Sequence, residues 1–133
     1  MSMYSTTLNV SPEAEDCVRR SPTFASLDAK QRSRVATRIR PRSFSSGVIL
    51  FHQDMPGNKI LYMIDSGWVR IFSIGQTGQE LTHSILGSGD ILGEVAALNN
   101  CNHPATALTL TQTVLWLLPG PDLEELMKNY SEL

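Results

Sequence analysis

The chain has 133 residues, of which 41% are hydrophobic and 18% charged, and this composition suits one globular domain with one core. No apolar run is long enough to span a bilayer, and no signal-peptide pattern opens the chain. Cys17 and Cys101 are far apart and have no Cys or His partner at metal-binding spacing, so no metal site and no four-thiolate iron–sulfur cluster is expected. The cysteine usage predicts a cytoplasmic, reduced setting.

The net charge of −2 conceals an asymmetry between the two parts of the chain. Residues 1–46 carry eight Lys or Arg against four Asp or Glu, a balance of +4, whereas residues 47–133 carry three against nine, a balance of −6. An acidic β-rich region is a poor platform for a polyanion such as DNA. The basic residues of the first part lie in and just after a predicted helix, where they form either a solvated helix face or a surface for a partner.

The first part of the chain carries helical signals. Residues 1–21 are a polar N-terminal segment in which Ser11, followed by Pro12 and acidic residues, predicts the start of a short helix. Residues 22–41 are predicted to be an N-terminal helical segment, because four apolar residues fall near helical spacing: Phe24, Leu27, Val35 and Ile39. Pro41 is expected to end this helical segment.

From Arg42 the hydrophobic period changes to two, and glycines recur about every ten residues. Regular short strands between glycine turns predict that residues 42–120 form an antiparallel β-roll or barrel. The predicted β-rich runs are Val48–Phe51, Ile60–Ile64, Trp68–Ile74, Leu81–Leu86, Ala105–Leu110 and Val114–Leu118.

Residues 121–133 are predicted to begin a C-terminal helix. Pro119 to Asp122 closes the roll, and Asp122 is expected to cap the helix, with Glu124 and Glu125 in its first turn. Three apolar residues give the helix an inward side: Leu123, Leu126 and Met127.

A short stretch within the β-region has the features of a ligand cradle. Gly93 and Glu94 open an apolar run of one or two helical turns, whose first backbone N–H groups face whatever lies in front of them. Gly93 allows close approach of the backbone, and Glu94 is an acceptor for hydroxyl donors. A loop follows, and Ala105-Thr106-Ala107 then begins a new extended run.

This stretch resembles the phosphate-binding cassette of cyclic-nucleotide-binding domains, in the version of bacterial Crp/Fnr-type transcription regulators. The match lies in Gly93-Glu94-Val95-Ala96, and the resemblance extends from Pro22 to Leu126. Further matching motifs, in the family's order, are Phe44-x-x-Gly47-x-x-Leu50-Phe51, Leu61-Tyr62-x-Ile64-x-x-Gly67-x-Val69 and Leu86-Gly87-x-Gly89-Asp90.

The resemblance implies a mainly β fold with flanking helices, an antiparallel, jelly-roll-like β-roll of about eight short strands. It also implies an N-terminal effector-sensing domain that binds cyclic AMP, another cyclic nucleotide or another small anion in the roll. The ligand-binding residues implied are Gly93, Glu94, Val95, Ala96, His103, Pro104 and Ala105, together with His83 on the strand over residues 81–86.

Two positions depart from the family pattern. His103 stands where the family has an arginine that pairs with the phosphate, and Pro104 stands where a Ser or Ala would donate to the same phosphate. Histidine lacks the fixed charge and two-pronged geometry of arginine, and proline has no N–H. Together these losses should weaken phosphate binding by about 2–5 kcal/mol.

The resemblance also implies partners. In the family a long dimerisation helix and a helix-turn-helix domain follow the roll, and neither lies before Leu133. We therefore expect an effector domain, either cut from a longer regulator or naturally short, that forms a homodimer in the full-length protein. It would contact DNA only through a C-terminal domain absent here, and no membrane.

Three alternatives stand beside the effector domain. The chain could be a ligand-free interaction or dimerisation domain with a degenerate pocket. A haem site is disfavoured because His52, His83 and His103 form no ligand signature. An enzyme is not expected, since the sequence has no His-x-His pair of the cupin type, no nucleophile elbow and no phosphate-binding loop with a lysine.

Overall fold

The computed structural model describes residues 11–57, 59–99 and 101–129. The helical elements are α1 (Pro12–Arg20), a 3₁₀ turn (Pro22–Phe24), α2 (Ala29–Ala36), α3 (Glu94–Asn99) and α4 (Gly120–Asn129). The strands are β1 (Arg40–Phe44), β2 (Ile49–Phe51), β3 (Ile60–Ser66), β4 (Val69–Ile74), β5 (Glu80–Leu86), β6 (Ile91–Leu92), β7 (Thr106–Thr109) and β8 (Thr113–Pro119). No helix in these ranges is long and apolar enough to cross a membrane.

The strands form two four-stranded antiparallel sheets. Sheet 1 has the order β1-β8-β3-β6, and sheet 2 has the order β2-β7-β4-β5. This arrangement, with helices flanking it, confirms the predicted antiparallel β-roll of about eight short strands.

Strand β3 connects the two hydrophobic cores of the domain. Leu61 and Met63 pack into a cluster with the helices, whereas Tyr62 and Ile64 pack into a second cluster that sheet 2 also joins. All four of these side chains are at most 5% exposed. Because successive strand residues point to opposite faces, this near-continuous apolar run reflects a strand that is covered on both faces.

The N-terminal helices begin where their capping signals lie. The Ser11 hydroxyl accepts a hydrogen bond of 3.0 Å from the Ala14 N–H, as the predicted start of α1 requires. Asp28 and Gln31 form a reciprocal capping box at the start of α2, with bonds of 2.8 and 2.9 Å. The predicted helical segment is thus a 3₁₀ turn and one short helix.

The expectation that Pro41 ends a helix is wrong. The helix already ends at Ala36, and Pro41 lies inside β1, where it pairs with Trp116 of β8. Strand β1 begins at Arg40, two residues before the predicted start of the β-region. Strand β1 is an edge strand of sheet 1, and a proline is tolerated there because one side of an edge strand needs no N–H donor. The polar sequence of β1 and the two-residue length of β6 explain why neither appeared among the predicted runs.

The C-terminal helix begins earlier than expected. It starts at Gly120, directly after β8, so Asp122 lies in the first turn instead of capping the helix. Its carboxylate accepts a hydrogen bond of 2.8 Å from the Arg38 guanidinium, which also pairs with Glu125 at 3.1 Å. A Cβ on Gly120 would collide with the Lys59 carbonyl oxygen, so glycine is required where β8 turns into α4. Residues 1–10 and 130–133 of the predicted terminal segments lie outside the described residues.

Candidate functional site

The cradle predicted from the sequence lies at α3 and the loop before β7. Gly93 has a φ of +82°, and a Cβ there would lie 2.8 Å from the Ile60 carbonyl oxygen and 3.2 Å from the Tyr62 ring. The glycine therefore permits close approach of the cassette to β3, in addition to the open approach to a ligand that was expected.

Helix α3 has six residues, in agreement with the predicted one or two turns. Its first turn closes with a bond of 3.0 Å from the Ala97 N–H to the Gly93 carbonyl oxygen. The N–H groups of Glu94, Val95 and Ala96 precede this bond and so have no acceptor within the helix. All three residues line a cavity between the sheets.

This cavity has a volume of about 220 Å³. Seven of the eight predicted ligand-binding residues line it: Gly93, Glu94, Val95, Ala96, His103, Pro104 and Ala105. The remaining walls, which the sequence analysis did not name, come from Phe51, Ile71, Ser84, Leu86, Ile91 and Leu92. The walls are therefore mostly apolar.

His83 is the predicted residue that the structure does not place in the lining. It is an exposed residue of β5, with Nε2 2.7 Å from the Ser73 hydroxyl. Ser84 and Leu86 reach the cavity instead. The pairing of β5 with β4 shifts register at His83, and this irregularity interrupts the alternation from which an inward His83 was expected. Leu81 and Ile85, the apolar residues of that alternation, are themselves 60% and 56% exposed.

His103 forms part of the wall. It is 2% exposed, and its ring stacks on Phe51 with 3.9 Å between the centroids and 12° between the planes. Its backbone N–H donates to the Met55 carbonyl oxygen at 3.0 Å, and its own carbonyl oxygen accepts from the Asp54 N–H at 2.8 Å. The cassette loop is thereby fixed to the segment that follows β2.

The His103 side chain is held in its neutral form. Its Nδ1 atom is buried and has no hydrogen-bond partner among the residues that the structure describes. Burial lowers the pKa of the imidazole below its ordinary value. Burial thus favours the neutral imidazole, and His103 does not offer the fixed positive charge of the arginine in the family pattern.

Glu94 places a carboxylate at the same wall. Its Oε2 atom is buried and lacks a hydrogen-bond partner within the described parts of the chain. Glu94 also borders a second, smaller cavity of about 80 Å³, whose walls include Phe24, Leu123 and Met127. The residue thus lies between the main cavity and the packing of α4.

Positive charge is missing from the cavity wall. None of the 11 Lys and Arg residues, all of which fall in the described ranges, lines the cavity. Arg70 of β4 is held elsewhere, since its guanidinium donates to Glu80 and to the Thr82 hydroxyl at 2.9 Å each and lies 4.2 Å from the centre of the Phe72 ring. The wall therefore combines one carboxylate with a neutral imidazole.

Outside the cradle, the described part of the chain has a large open groove and no metal-binding cluster. An open groove of about 950 Å³ lies beside α1 and α2 and is bordered by Arg40, Asp65 and Trp116, but it contains none of the predicted site residues. No group of three or more His, Cys, Asp or Glu residues in the described part of the chain is arranged to hold a metal ion. The inter-sheet cavity is the place where the sequence motif and the geometry agree.

Known proteins share both the sequence pattern and the fold. The sequence model of the family described as "Cyclic nucleotide-binding domain" matches residues 41–130. A "Cyclic AMP receptor protein" of Thermus thermophilus is 31% identical over 108 residues, which cover 81% of this chain and 50% of that protein. The chain therefore spans half the length of this relative.

Two solved structures have a fold similar to that of this chain. The N-terminal domain of a transcriptional regulator from Streptomyces coelicolor A3(2) superposes with a TM-score of 0.77 and 28% identity, covering 88% of this chain and 83% of that one. The regulatory subunit of a cAMP-independent protein kinase A from Trypanosoma brucei gives a TM-score of 0.83 and 22% identity, over 92% and 44% of the two chains, which shows the fold alone. The family match over 41–130 and the Thermus relative confirm the resemblance stated above: this chain belongs to the cyclic nucleotide-binding domain family.

Proposed function

We propose that this chain is the effector-binding domain of a cytoplasmic Crp/Fnr-like transcription regulator and that a small-molecule effector occupies the inter-sheet cavity. The observation that carries the proposal is the convergence of seven cassette residues on one cavity. One of them, Glu94, has a buried carboxylate oxygen with no hydrogen-bond partner among the residues that the structure describes. A buried polar atom without a partner costs stability, and a bound donor would satisfy it.

Different groups in the wall contact different parts of the ligand. The apolar side chains from both sheets remove water from the ligand's body, and Glu94 accepts a hydrogen bond from a hydroxyl or amine donor, such as a ribose hydroxyl. The amides at the start of α3 offer donors to an acceptor on the ligand. Cyclic nucleotides are the first candidates to test, because the family model that matches residues 41–130 is that of the cyclic nucleotide-binding domain.

Cyclic AMP itself should bind only weakly. The arginine that would pair with its phosphate is replaced by a neutral, stacked His103, and Pro104 has no N–H to donate. We keep the estimate of about 2–5 kcal/mol for the loss of a charge-assisted bond and its neighbouring donor. That loss amounts to a few decades in affinity.

An effector that regulates must favour one arrangement of the domain over another. Glu94 borders both the effector cavity and the cavity beneath α4, so a ligand bonded to its carboxylate bears on the packing of Leu123 and Met127. In a full-length homodimer this would reorient the helix that follows the roll, and with it a C-terminal DNA-binding domain.

The second candidate is a ligand-free interaction domain with a degenerate pocket. Its support is the size of the cavity, since about 220 Å³ is smaller than the roughly 300–1,000 Å³ of common small-molecule sites. The stacked His103 ring takes up part of the space between the cassette and β2.

A titration followed by two-dimensional ¹⁵N NMR separates the two candidates. Cyclic AMP and cyclic GMP are added to the native chain and to the His103→Arg, Pro104→Ser double variant. His83→Gln, which changes an exposed side chain outside the cavity lining, is the control. Shifts confined to Gly93–Ala96 and Ala105 in any of these proteins support an effector site. If neither nucleotide shifts these resonances in the native chain or in the double variant, the ligand-free domain is favoured.

A further inference from the structure

We infer that the inter-sheet cavity selects an uncharged ligand with an amide or hydroxyl group on a compact apolar body, in preference to a phosphate or any other anion. This inference rests on the proposed effector function and names the ligand class of the same site. It follows from three properties of the cavity wall, which are its charge, its unpartnered polar atoms and its size.

The charge of the wall disfavours an anion. Glu94 contributes a carboxylate, while every Lys and Arg of the chain lies outside the lining. Arg70, on the neighbouring β-hairpin, is committed to Glu80 and Thr82 on the outer face. A phosphate or carboxylate entering the cavity would meet a like charge at short range with reduced solvent screening, and such an approach is repulsive.

The unpartnered atoms fit a neutral polar group. Glu94 Oε2 requires a donor, and the Nδ1 atom of His103 either donates or accepts according to its tautomer. A primary amide has two N–H donors and a carbonyl acceptor, so its chemistry matches Glu94 together with either tautomer of His103. A hydroxyl has one O–H, so it matches both residues only when Nδ1 of His103 carries the proton. A carboxylate or a phosphodiester has no donor for Glu94.

The size and the lining of the cavity determine what kind of ligand body fits beside the polar group. About 220 Å³ walled by Phe51, Ile71, Leu86 and Leu92 suits a compact apolar or aromatic body. The neutral imidazole of His103, stacked on Phe51, adds an aromatic surface to this wall. Burial of the ligand's body against these side chains supplies affinity that requires no charge.

The test uses two pairs of probes that differ mainly in charge. Benzamide and benzoate have the same number of heavy atoms, and adenosine and cyclic AMP share the nucleoside. Each is titrated into the ¹⁵N-labelled 133-residue chain at neutral pH, and dissociation constants are taken from the resonances of Gly93, Val95, Ala96 and Ala105. The uncharged member of each pair should bind at least about tenfold more tightly than the anion.

Two variants make the result specific to the cavity. Glu94→Gln removes the repelling charge while keeping a polar group of the same shape, so the gap between benzamide and benzoate should narrow, chiefly because benzoate improves. His83→Gln changes an exposed side chain outside the cavity lining and should leave both constants unchanged.

The outcomes separate this inference from the proposed function. If the anion of either pair binds as tightly as its uncharged partner or more tightly, the inference is overturned while the cavity remains an effector site. If none of the four probes moves the cavity resonances, the inference and the effector function both fall. Preference for the uncharged probes with no change in Glu94→Gln also counts against the inference, because the selection would then have another source.

Discussion

The imidazole of His103 lies flat on the phenyl ring of Phe51, with 3.9 Å between their centroids and 12° between their planes. The residue that replaces the family's arginine is therefore a packing element of the cavity wall. Its backbone bonds to Met55 and Asp54 fix the cassette loop to the chain after β2. The substitution has changed both the charge of the site and the way in which the loop is held.

The first prediction concerns cyclic AMP affinity. The native chain should bind cyclic AMP weakly or undetectably in calorimetry, and the His103→Arg, Pro104→Ser double variant should bind it more tightly, by about one to three decades for the regained charge-assisted bond and donor. Adding Glu94→Ala to the double variant should abolish the gain, since the ribose hydroxyl would lose its acceptor.

The opposite results are informative. Tight binding by the native chain would mean that the amides of α3 suffice for the phosphate. Absence of any gain in the double variant would mean that the arginine cannot leave the space that His103 occupies against Phe51.

The second prediction concerns the pH dependence of stability. The pKa of His103 is lowered by burial from an ordinary value of 6.5, so in the window just below pH 6.5 the unfolded chain binds a proton that the folded chain does not. The contribution of the neutral, buried imidazole is therefore fully present above that window and is lost as the pH falls through it. The His103→Gln variant should lose less stability than the native chain between about pH 7.5 and pH 5.5.

Urea unfolding at several pH values measures this difference directly. His83→Gln removes an exposed histidine and controls for the loss of an imidazole as such. Parallel pH profiles for the native chain and His103→Gln would contradict the assignment of a neutral buried His103. Because burial lowers the pKa of His103, acid should improve cyclic AMP binding to the native chain only at a lower pH than an ordinary histidine would require.

The third prediction concerns Gly93. Gly93→Ala should destabilise the unliganded chain by about 2–5 kcal/mol, because a Cβ 2.8 Å from the Ile60 carbonyl oxygen adds a steric clash to the strain of a positive φ. Gly78→Ala is the matched control, since Gly78 also has a positive φ, of +89°, but has no atom within 4 Å of an added Cβ. The control should cost only the backbone strain, about 1–2 kcal/mol. Equal losses in denaturant unfolding would show that the contact with β3 is unimportant.

The fourth prediction concerns DNA. The 133-residue chain should show no sequence-specific binding in a gel shift at physiological salt, because residues 47–133 carry a balance of −6. The structure adds a reason in the basic part of the chain: Arg20 pairs with Asp16 and Asp65, and Arg38 pairs with Asp122 and Glu125. Sequence-specific retardation by this chain would contradict the prediction and would require a DNA-recognition surface within its 133 residues.

The fold could be predicted from the sequence because its signals are local. Glycines at turns, short β-rich runs and the Gly93-Glu94 cassette specify strands and connections within a few residues, and α3 has the predicted length. The strands that were not predicted have weak local signals: β1 is polar and contains Pro41, and β6 has two residues.

The interior of the site could be predicted only in part. The inward direction expected for His83 was wrong because the pairing of β5 with β4 shifts register at that residue. Leu81 and Ile85 on the same strand are exposed, so hydrophobicity did not mark the inner side. The stacking of His103 on Phe51 joins residues 52 positions apart, and no local pattern reports such a contact. Nor does a sequence reveal that Glu94 and His103 are left with unpartnered atoms, since this depends on which side chains surround them.

The burial of β3 on both faces has a consequence for how the domain unfolds. Leu61 and Met63 belong to the core that holds the helices, and Tyr62 and Ile64 belong to the core between the sheets. If either core unfolded alone, one apolar face of β3 would be exposed to water. The helical layer and the roll should therefore unfold in a single transition and not in succession. A ligand that tightens the roll would then protect the amide protons of α1 and α2 from exchange as strongly as those of the strands that it touches.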